Sequence, residues 1–241
     1  MTAQQSTDID QIKITPLSVH TGAEISGVNL CRPLTSSQIS QIRQALLQWK
    51  VIFFRDQELT HAEHVSLAKQ FGEPTPAHVV FGSDSEYPEI YPVVKHRTAQ
   101  AGNVTVRRAW TGWHPDITAA INPPSASILR SVVLPPYGGD TQWLNMVKAF
   151  EALSPPMQKF LSSLRAIHQY RRASSPKDKS AYNDLIDAKA MVSEHPLVTV
   201  HPETSERTLF VNAAYVDHIV GLTPRESHCL LEYLLEHCLQ S

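Results

Sequence analysis

The feature that most constrains the fold is a succession of short strand-like runs separated by proline- and glycine-containing turns. From residue 89 onwards these runs are EIYPVVKH, WHPDITA, SASILRSVVL, DTQWLNM, LRAIHQY, LVTVH and TLFVN, with NPP, PPYGGD and PETSER between them. Many short strands at regular spacing favour an antiparallel sandwich or barrel. Seventeen prolines against nine glycines agree with short segments joined by stiff connections.

Helices are expected on both sides of this strand-rich region and once within it. Three begin with a capping box, in which a threonine precedes a glutamine or glutamate by three residues: Thr35, Thr60 and Thr223. A fourth carries Pro155 and Pro156 in its first turn, and Gly72 stands where a left-handed residue would end the second helix. Strands are expected in IKITPLSV (12–19), AEISGVNL (23–30) and VIFFRDQ (51–57). The pattern predicts an α+β fold with a strand-rich core.

The composition excludes several functional classes. The chain has 241 residues, of which 42% are hydrophobic and 18% charged, as is typical of a globular protein. A net charge of −2 gives no electrostatic basis for binding nucleic acid or an anionic membrane. Three cysteines do not make a disulfide framework. Together with a polar N-terminus that lacks an apolar stretch, they predict a cytoplasmic protein.

The tripeptide His114-Pro115-Asp116 is the strongest candidate for chemistry. In a strand, residues i and i+2 project from one face, so the imidazole and the carboxylate could bind one ion together. With a third ligand from elsewhere they would form the two-histidine, one-carboxylate facial arrangement that suits ferrous iron. Chance supplies such a tripeptide in about every second chain of this composition. The spacing alone therefore leaves a structural interpretation open.

Other polar clusters have structural interpretations that we favour. His201-Pro202-Glu203 is expected at a hairpin tip, and the histidines and cysteines at 228–229 and 237–238 on a helix buried through its leucines. The polar segment 171–185 is expected to be a surface loop, with an anion-attracting cover over a pocket as the alternative. No glycine-rich phosphate loop or nucleophile motif is present in the sequence.

The surroundings of His114 resemble a known family. The run WHPDITAAINPPSASILRSVVLPPYGGDTQW resembles the core motif of the taurine dioxygenase/TfdA family of Fe(II)- and 2-oxoglutarate-dependent dioxygenases. In that family a W-H-x-D strand precedes a P-P segment and G-G-D-T-x-W. The stretches ITPLSVHTGAEISGVNLCRPLT, VIFFRDQELT, EALSPPMQKFLSSLRAIHQY and HPLVTVHPETSERTLFVNAAY are similar in order and spacing. The resemblance covers nearly all of the chain from about residue 12.

The resemblance implies a fold and a domain organisation. It implies a double-stranded β-helix (jelly roll) with flanking helices, in one dioxygenase domain spanning residues 1–241. The core would lie mainly in 86–241, preceded by N-terminal strands and helices in 10–75, with a lid-like loop at 171–190. A homo-oligomer, either a dimer or a tetramer, is also expected.

The resemblance also implies functional residues. His114 and Asp116 would be two Fe(II) ligands, and Thr141 would hydrogen-bond the carboxylate of the co-substrate 2-oxoglutarate, with O2 as the second co-substrate. His78 would contact the acidic group of the substrate. The substrate is expected to be a small organic acid that is hydroxylated with release of succinate and CO2.

Three departures from the taurine-converting pattern bear on the substrate. Phe81 replaces a tyrosine, Trp110 replaces an asparagine four residues before the iron histidine, and Ser174 replaces a phenylalanine. Two polar contacts are lost and an indole is gained. A more apolar acid is therefore expected, such as an alkyl sulfate, an alkylsulfonate or an aryloxyalkanoate.

Members of the family continue past the last helix into W-D-N-R-x-x-x-H, which carries the second iron histidine, and then into an arginine that anchors 2-oxoglutarate. The third ligand is therefore expected beyond Ser241. Two alternatives stay open: a non-catalytic ligand-binding protein on the same scaffold, and a zinc-dependent hydrolase using two ligands. Tight metal binding would argue against the first, and oxygen-dependent turnover against the second.

Overall fold

The computed structural model describes residues 11–76, 83–93, 112–170 and 191–240, together with the backbone of two strands at 97–99 and 104–106. His78, Phe81, Trp110 and the segment 171–190 lie outside the described residues. The chain forms two compact units, Met1–Pro74 with Ile128–Asn145 and Thr75–Ser127 with Met146–Ser241. The assignment of the whole chain to one domain stays a prediction.

The first unit combines a three-stranded sheet with two helices. Its elements are β1 (Lys13–Pro16), β2 (Ala23–Ser26), α1 (Ser36–Trp49), β3 (Ile52–Phe54) and α2 (His61–Lys69). Strand β2 is central, antiparallel to β1 and parallel to β3. The parallel pairing is possible because α1 crosses over between β2 and β3.

Local sequence signals explain where these two helices begin. Thr35 accepts a hydrogen bond from the Gln38 amide, and Thr60 accepts one from the Glu63 amide, so both predicted capping boxes are confirmed. The expected left-handed end of α2 at Gly72 is wrong. The φ angle of Gly72 is not positive, and α2 ends instead in tight bonds from Gln70 N to Leu67 O (3.1 Å) and from Phe71 N to Ala68 O (3.0 Å).

The core of the first unit lies between the sheet and the two helices. Its buried side chains are Ile12, Ile25, Leu30, Leu34, Ile42, Ala45, Leu59 and Leu67. They come from β2, α1 and α2, from the loops between them and, for Ile12, from the segment before β1. Burial of this apolar surface is the main favourable free-energy term for the unit.

Residues 128–145 join the first unit through contacts near their ends. Arg130 donates hydrogen bonds to Leu59 O and to His61 Nδ1. Near the other end the Trp143 ring packs edge-on against Phe53 at 5.2 Å, and Asn145 Nδ2 donates to His20 O at 2.8 Å. The large apolar side chains between these contacts are exposed: Val132, Val133, Leu134 and Tyr137.

The second unit contains the remaining strands and three helices. Its elements are β4 (Arg97–Ala99), β5 (Val104–Val106), α3 (Met146–Glu151), α4 (Pro155–Leu161), β6 (Arg165–Gln169), β7 (Val192–Pro196), β8 (Val198–Val200), β9 (Arg207–Leu209), β10 (Val216–Ile219) and α5 (Pro224–Cys238). An antiparallel sheet has the order β10-β6-β7. Two further antiparallel pairs are β4–β5 and β8–β9.

The core of the second unit lies where the strands meet α3 and α5. Its fully buried side chains include Leu161, Leu197, Leu209, Ile219 and Leu234. Helix α5 packs on β10, and α3 packs on β9. The capping box at Thr223 and the first-turn prolines of α4 are both present, as predicted. In the part of the chain that the structure describes, no helix is long and apolar enough to cross a membrane.

The α+β class is confirmed, but three predicted strands are not present, and a fourth, EIYPVVKH, forms no strand in its described part, residues 89–93. The runs WHPDITA, SASILRSVVL and DTQWLNM fall in residues 112–145, where the described chain contains turns and extended segments without strand pairing. Strands need the backbone hydrogen bonds of a neighbour. Among the described residues these runs are fixed in place by side-chain contacts instead. Their strand-like composition is therefore not accompanied by hydrogen bonds to a neighbouring strand.

Candidate metal centre

The His114-Pro115-Asp116 segment lies before a tight turn in the second unit. Ala120 N donates to Ile117 O at 3.0 Å, which closes the turn directly after Asp116. Ile117 has a φ of 50°, which is strained for a β-branched residue and persists only where the surroundings hold it. The prediction that the motif lies in a strand is therefore wrong. The turn, rather than the two-residue repeat of a strand, sets the direction of the two side chains.

The two candidate ligands nevertheless converge. Nε2 of His114 lies 3.6 Å from Oδ1 of Asp116. About 31% of the His114 side chain and 53% of the Asp116 side chain is exposed, so both side chains are partly accessible to solvent. The structure therefore brings together the pair that the sequence singled out.

The remaining polar atoms of the pair are engaged in orienting hydrogen bonds. Nδ1 of His114 lies 2.8 Å from the carbonyl oxygen of Gly112. A carbonyl can only accept, so Nδ1 carries a proton, and in the neutral form of the ring the lone pair is on Nε2. The Ser127 hydroxyl donates to Oδ2 of Asp116 at 2.6 Å, which leaves Oδ1 facing His114. Such partners fix the tautomer and the orientation of metal ligands.

This donor set fits a single divalent ion. Nitrogen and carboxylate ligands bind at about 2.0–2.2 Å, so two neighbouring ligands of one ion lie about 3 Å apart or slightly more. A separation of 3.6 Å requires only a small adjustment. One imidazole and one carboxylate are the ligand types of non-haem iron sites. Within the described ranges no group of three histidine, cysteine, aspartate or glutamate side chains could hold a metal ion, so the predicted third ligand beyond Ser241 stays a prediction.

Thr141 lies in the first unit, in the exposed part of residues 128–145. The two glycines before it, Gly138 and Gly139, have φ angles of 72° and 78°. Both values fall in the region that favours glycine, so the GGDT sequence specifies a backbone course that other residues would strain. The role predicted for Thr141 stays a prediction, as do those of His78, Phe81 and Trp110.

The polar clusters at 201–203 and on α5 have the structural roles that the sequence favoured, whereas the segment 171–185 lies outside the described residues. His201 lies at the tip of the β8–β9 hairpin, and its Nδ1 accepts hydrogen bonds from the Glu203 and Thr204 amides at 3.2 and 3.3 Å. On α5, Cys238 is buried, and burial raises the pKa of its thiol to about 11. A thiol held protonated in this way is a poor metal ligand. His237 is engaged with Ala149 O at 2.8 Å.

Several residues of the site were not predicted from the sequence. Ser127 lies eleven residues after the carboxylate it contacts, and no spacing rule selects it. Thr118, His168 and His195 meet in a buried cluster behind the turn. His195 lies near the end of β7, where Nε2 donates to Ala120 O at 2.9 Å. In the sequence near the motif, Thr118, two residues after Asp116, is the one member of this cluster that could have been noticed.

An α+β chain with an imidazole–carboxylate pair oriented in this way belongs among the candidates for non-haem metal enzymes. Comparison with known proteins gives the family. The sequence model of the taurine catabolism dioxygenase TauD, TfdA family matches residues 13–241. The chain therefore belongs to the TauD/TfdA family.

Individual relatives agree with this assignment. The chain is 35% identical over 239 residues to the alpha-ketoglutarate-dependent sulfate ester dioxygenase of Pseudomonas putida, covering 94% of this chain and 74% of the relative. It is 32% identical over 234 residues to the alkylsulfatase of Acinetobacter baylyi, covering 94% and 70%. A crystal structure of a taurine dioxygenase from Burkholderia xenovorans is 49% identical with a TM-score of 0.75, covering 94% of this chain and 72% of that one.

The chain spans about seven-tenths of the length of these relatives. Membership of the family confirms the resemblance seen in the sequence. It also confirms, at the level of the family, the enzyme class and its dependence on Fe(II), 2-oxoglutarate and O2. A small-molecule substrate follows from the same membership.

Proposed function

We propose that His114 and Asp116 supply two ligands to one Fe(II) ion, and that the protein oxidises a small organic acid with 2-oxoglutarate and O2. The observation that carries this proposal is the convergence of His114 Nε2 and Asp116 Oδ1 at 3.6 Å. The atoms on the far side of each group are already engaged with Gly112 and Ser127. The pair is thus oriented by other groups of the chain, which lowers the cost of assembling the site.

The bound metal supplies oxidative chemistry in which 2-oxoglutarate is converted to succinate and CO2 while the substrate gains a hydroxyl group. The chain holds and orients the reactants. His114 contributes a neutral nitrogen, since the Gly112 carbonyl fixes its proton on Nδ1. Asp116 contributes one negative charge, which partly neutralises a divalent ion. Thr141 would donate a hydrogen bond from its hydroxyl to the 2-oxoglutarate carboxylate.

We infer that the substrate is an alkyl sulfate, an alkylsulfonate or an aryloxyalkanoate. The names of the Pseudomonas and Acinetobacter relatives point to sulfate esters, and that of the Burkholderia structure to a sulfonate. His78 would contact the acidic group, while Phe81 and Trp110 would line an apolar part of the pocket. Hydroxylation of the carbon that bears the leaving oxygen or sulfur gives an adduct that collapses to a carbonyl compound and a released anion.

The predicted jelly-roll fold, single domain and lid-like loop are part of the same proposal. We propose that the antiparallel strands of the second unit are part of a double-stranded β-helix within one domain, with residues 171–190 as a lid-like loop. The three-stranded order β10-β6-β7 and the hairpin β8–β9 are consistent with such a core. A homo-oligomeric state and a cytoplasmic location stay predictions, and sedimentation analysis would measure the first of them.

The experiment is a succinate assay with Fe(II), 2-oxoglutarate and O2 across sulfate esters, sulfonates and aryloxyacids. We expect the amount of succinate formed to follow the amount of substrate added for one of these classes. His114→Ala and Asp116→Ala should form no succinate. His228→Ala is the matched control, because His228 is exposed on α5. Substrate-dependent succinate formation that survives in either ligand variant would overturn the assignment. So would oxygen-independent turnover with zinc.

A further inference from the structure

Behind the turn that follows Asp116 lies a cluster of buried polar side chains. Thr118 and His168 are fully buried, with Asn212 and Ser193 nearly so, at 0%, 0%, 3% and 8% exposed. Each comes from a different part of the second unit. His168 lies on β6 and Ser193 on β7, while Asn212 lies in the segment before β10. Burying polar groups costs free energy unless they are paired, so such a cluster needs a physical reason.

The hydrogen bonds of this cluster converge on the turn. Asn212 Nδ2 donates to Thr118 Oγ1 at 3.2 Å, and His168 Nδ1 lies 3.0 Å from the same oxygen. The Ser193 hydroxyl lies 3.4 and 3.3 Å from the carbonyl oxygens of Thr118 and Ala120. The residues two and four positions after Asp116 are therefore tied to three separate segments of the unit.

The strained backbone explains why these ties are needed. Ile117 lies between Asp116 and Thr118 with a φ of 50°. An isoleucine does not adopt this conformation without support from its surroundings. If the contacts at Thr118 were lost, the turn could relax toward ordinary angles, and the Asp116 carboxylate would rotate away from His114.

The state of His168 can be inferred from its surroundings. Its ring stacks on Phe210, with ring centroids 5.1 Å apart, and meets His195 edge-on at 5.1 Å. Within the described part of the chain, no hydrogen-bond partner reaches its Nε2. His168 Nδ1 and the Thr118 hydroxyl share one hydrogen bond of 3.0 Å, in which either group can be the donor. Burial, with a smaller contribution from His195, lowers the pKa of His168 to about 4, so the ring is neutral.

We propose that Thr118, His168 and Asn212 form a buried positioning network, which holds the turn after Asp116 so that the Asp116 carboxylate faces His114. This inference rests on the proposed function, since it assigns the network to the same ligand pair. These are positioning residues, because they act through the turn and do not reach the ion. Ser193 and His195 support the same turn from β7.

The test compares Thr118→Val with Thr118→Ser in the full chain, using Co(II) as the probe. Valine has nearly the shape of threonine but no hydroxyl, whereas serine keeps it. Removal of such an outer-shell partner typically costs 10–100-fold in metal affinity. We expect the Co(II) dissociation constant to rise at least 10-fold in Thr118→Val and less than 3-fold in Thr118→Ser. The Co(II) absorption spectrum should broaden in the valine variant alone.

Leu234→Ala separates positioning from general loss of stability. Leu234 is fully buried on α5, and its truncation lowers the free energy of unfolding without touching the turn. We expect this variant to keep wild-type Co(II) affinity. If it loses affinity as Thr118→Val does, or if a folded Thr118→Val binds Co(II) within 3-fold of wild type, the network is only structural and the proposal is overturned.

Two further measurements test the proposal, and the first applies even if Thr118→Val does not fold. His168→Phe keeps the stack on Phe210 and removes the hydrogen bond to Thr118, so it should weaken Co(II) binding similarly; unchanged affinity would overturn the proposal. Histidine ¹⁵N NMR of the wild type should show a neutral His168 ring at pH 7 whose Nδ1 shift changes in Thr118→Val, and an unchanged shift would count against the proposal. A wild-type chain that does not bind Co(II) would instead refute the proposed function.

Discussion

The Ser127 hydroxyl donates a hydrogen bond of 2.6 Å to Oδ2 of Asp116, so the second oxygen of the candidate ligand is held by a residue eleven positions away. A carboxylate with one oxygen engaged presents the other in a defined direction. This contact determines that Oδ1 faces the imidazole of His114 at 3.6 Å. Orientation of the pair therefore depends on a side chain that is not itself a proposed ligand.

Replacement of Ser127 by alanine should weaken metal binding with little effect on folding. Because Ser127 is exposed, the loss of its hydroxyl removes an orienting contact and little packing. We expect about a 10-fold rise in the Co(II) dissociation constant, the lower end of the range for outer-shell partners. Titration of Ser127→Ala against Ser125→Ala, an exposed serine in the same loop, gives the comparison. Equal affinities in the two variants would show that the contact does not orient the ligand.

Stability should depend on pH through His168. Burial lowers the pKa of this imidazole from 6.5 to about 4, so the unfolded chain binds a proton that the folded chain excludes. The free energy of unfolding should therefore fall as the pH decreases from about 6.5 to about 4, and this contribution should be fully present above that range. The loss should be on the order of 3 kcal/mol.

Urea unfolding at several pH values measures this loss. His168→Phe should have a shallower dependence across the same range, because the proton-binding difference is gone. His228→Ala is the control, since His228 is exposed on α5 and should keep the wild-type slope. An unchanged slope in His168→Phe would mean that another group is responsible.

The helices show how much of the fold the sequence could predict. Capping boxes act within four residues, so Thr35, Thr60 and Thr223 identified three helix starts without knowledge of tertiary structure. The strand-like runs in 112–145 were misleading because a strand requires a partner, and composition does not supply one. The prediction of a left-handed cap at Gly72 was also wrong. The sequence position of this glycine allowed such a cap, but hydrogen bonds between residues three apart end the helix before it.

The site was predictable only in part. The pair His114 and Asp116 could be found because two ligand types lie close together in the sequence within a recognisable motif. Ser127 could not be found, because a serine eleven residues away has no distinguishing pattern. The network at Thr118 requires β6 and β7 to meet behind the turn, which is a tertiary relationship that no local signal encodes.

Loss of the cap of α5 should lower stability by a moderate amount. Thr223 and Glu226 form reciprocal hydrogen bonds, in which Glu226 N donates to Thr223 Oγ1 and Thr223 N donates to Glu226 Oε2 at 2.9 Å. We expect Thr223→Ala to cost about 1 kcal/mol of unfolding free energy. Thr223→Ser should keep most of the wild-type value, because its hydroxyl can still cap. Equal denaturation midpoints for the alanine variant and the wild type would contradict the capping interpretation.

Two glycine replacements should have different effects, although neither creates a clash. A Cβ atom added at Gly138 or at Gly72 meets nothing within 4 Å. Gly138 has a φ of 72°, so Gly138→Ala should cost about 1–2 kcal/mol through backbone strain alone. Gly72 has no such restriction, and Gly72→Ala should be neutral or stabilise by up to about 1 kcal/mol. Chemical denaturation of both variants tests this difference, and a neutral Gly138→Ala would contradict the assigned turn.

The central claim is that His114 and Asp116 bind the same metal ion. Anomalous diffraction from crystals grown with Co(II) measures this most directly, because it locates the ion without reference to activity. We predict one strong peak within about 2.0–2.2 Å of both His114 Nε2 and Asp116 Oδ1. That peak should be absent in Asp116→Ala crystals grown in the same way. A fully occupied Co(II) site elsewhere, with no density between these two atoms, would contradict the claim.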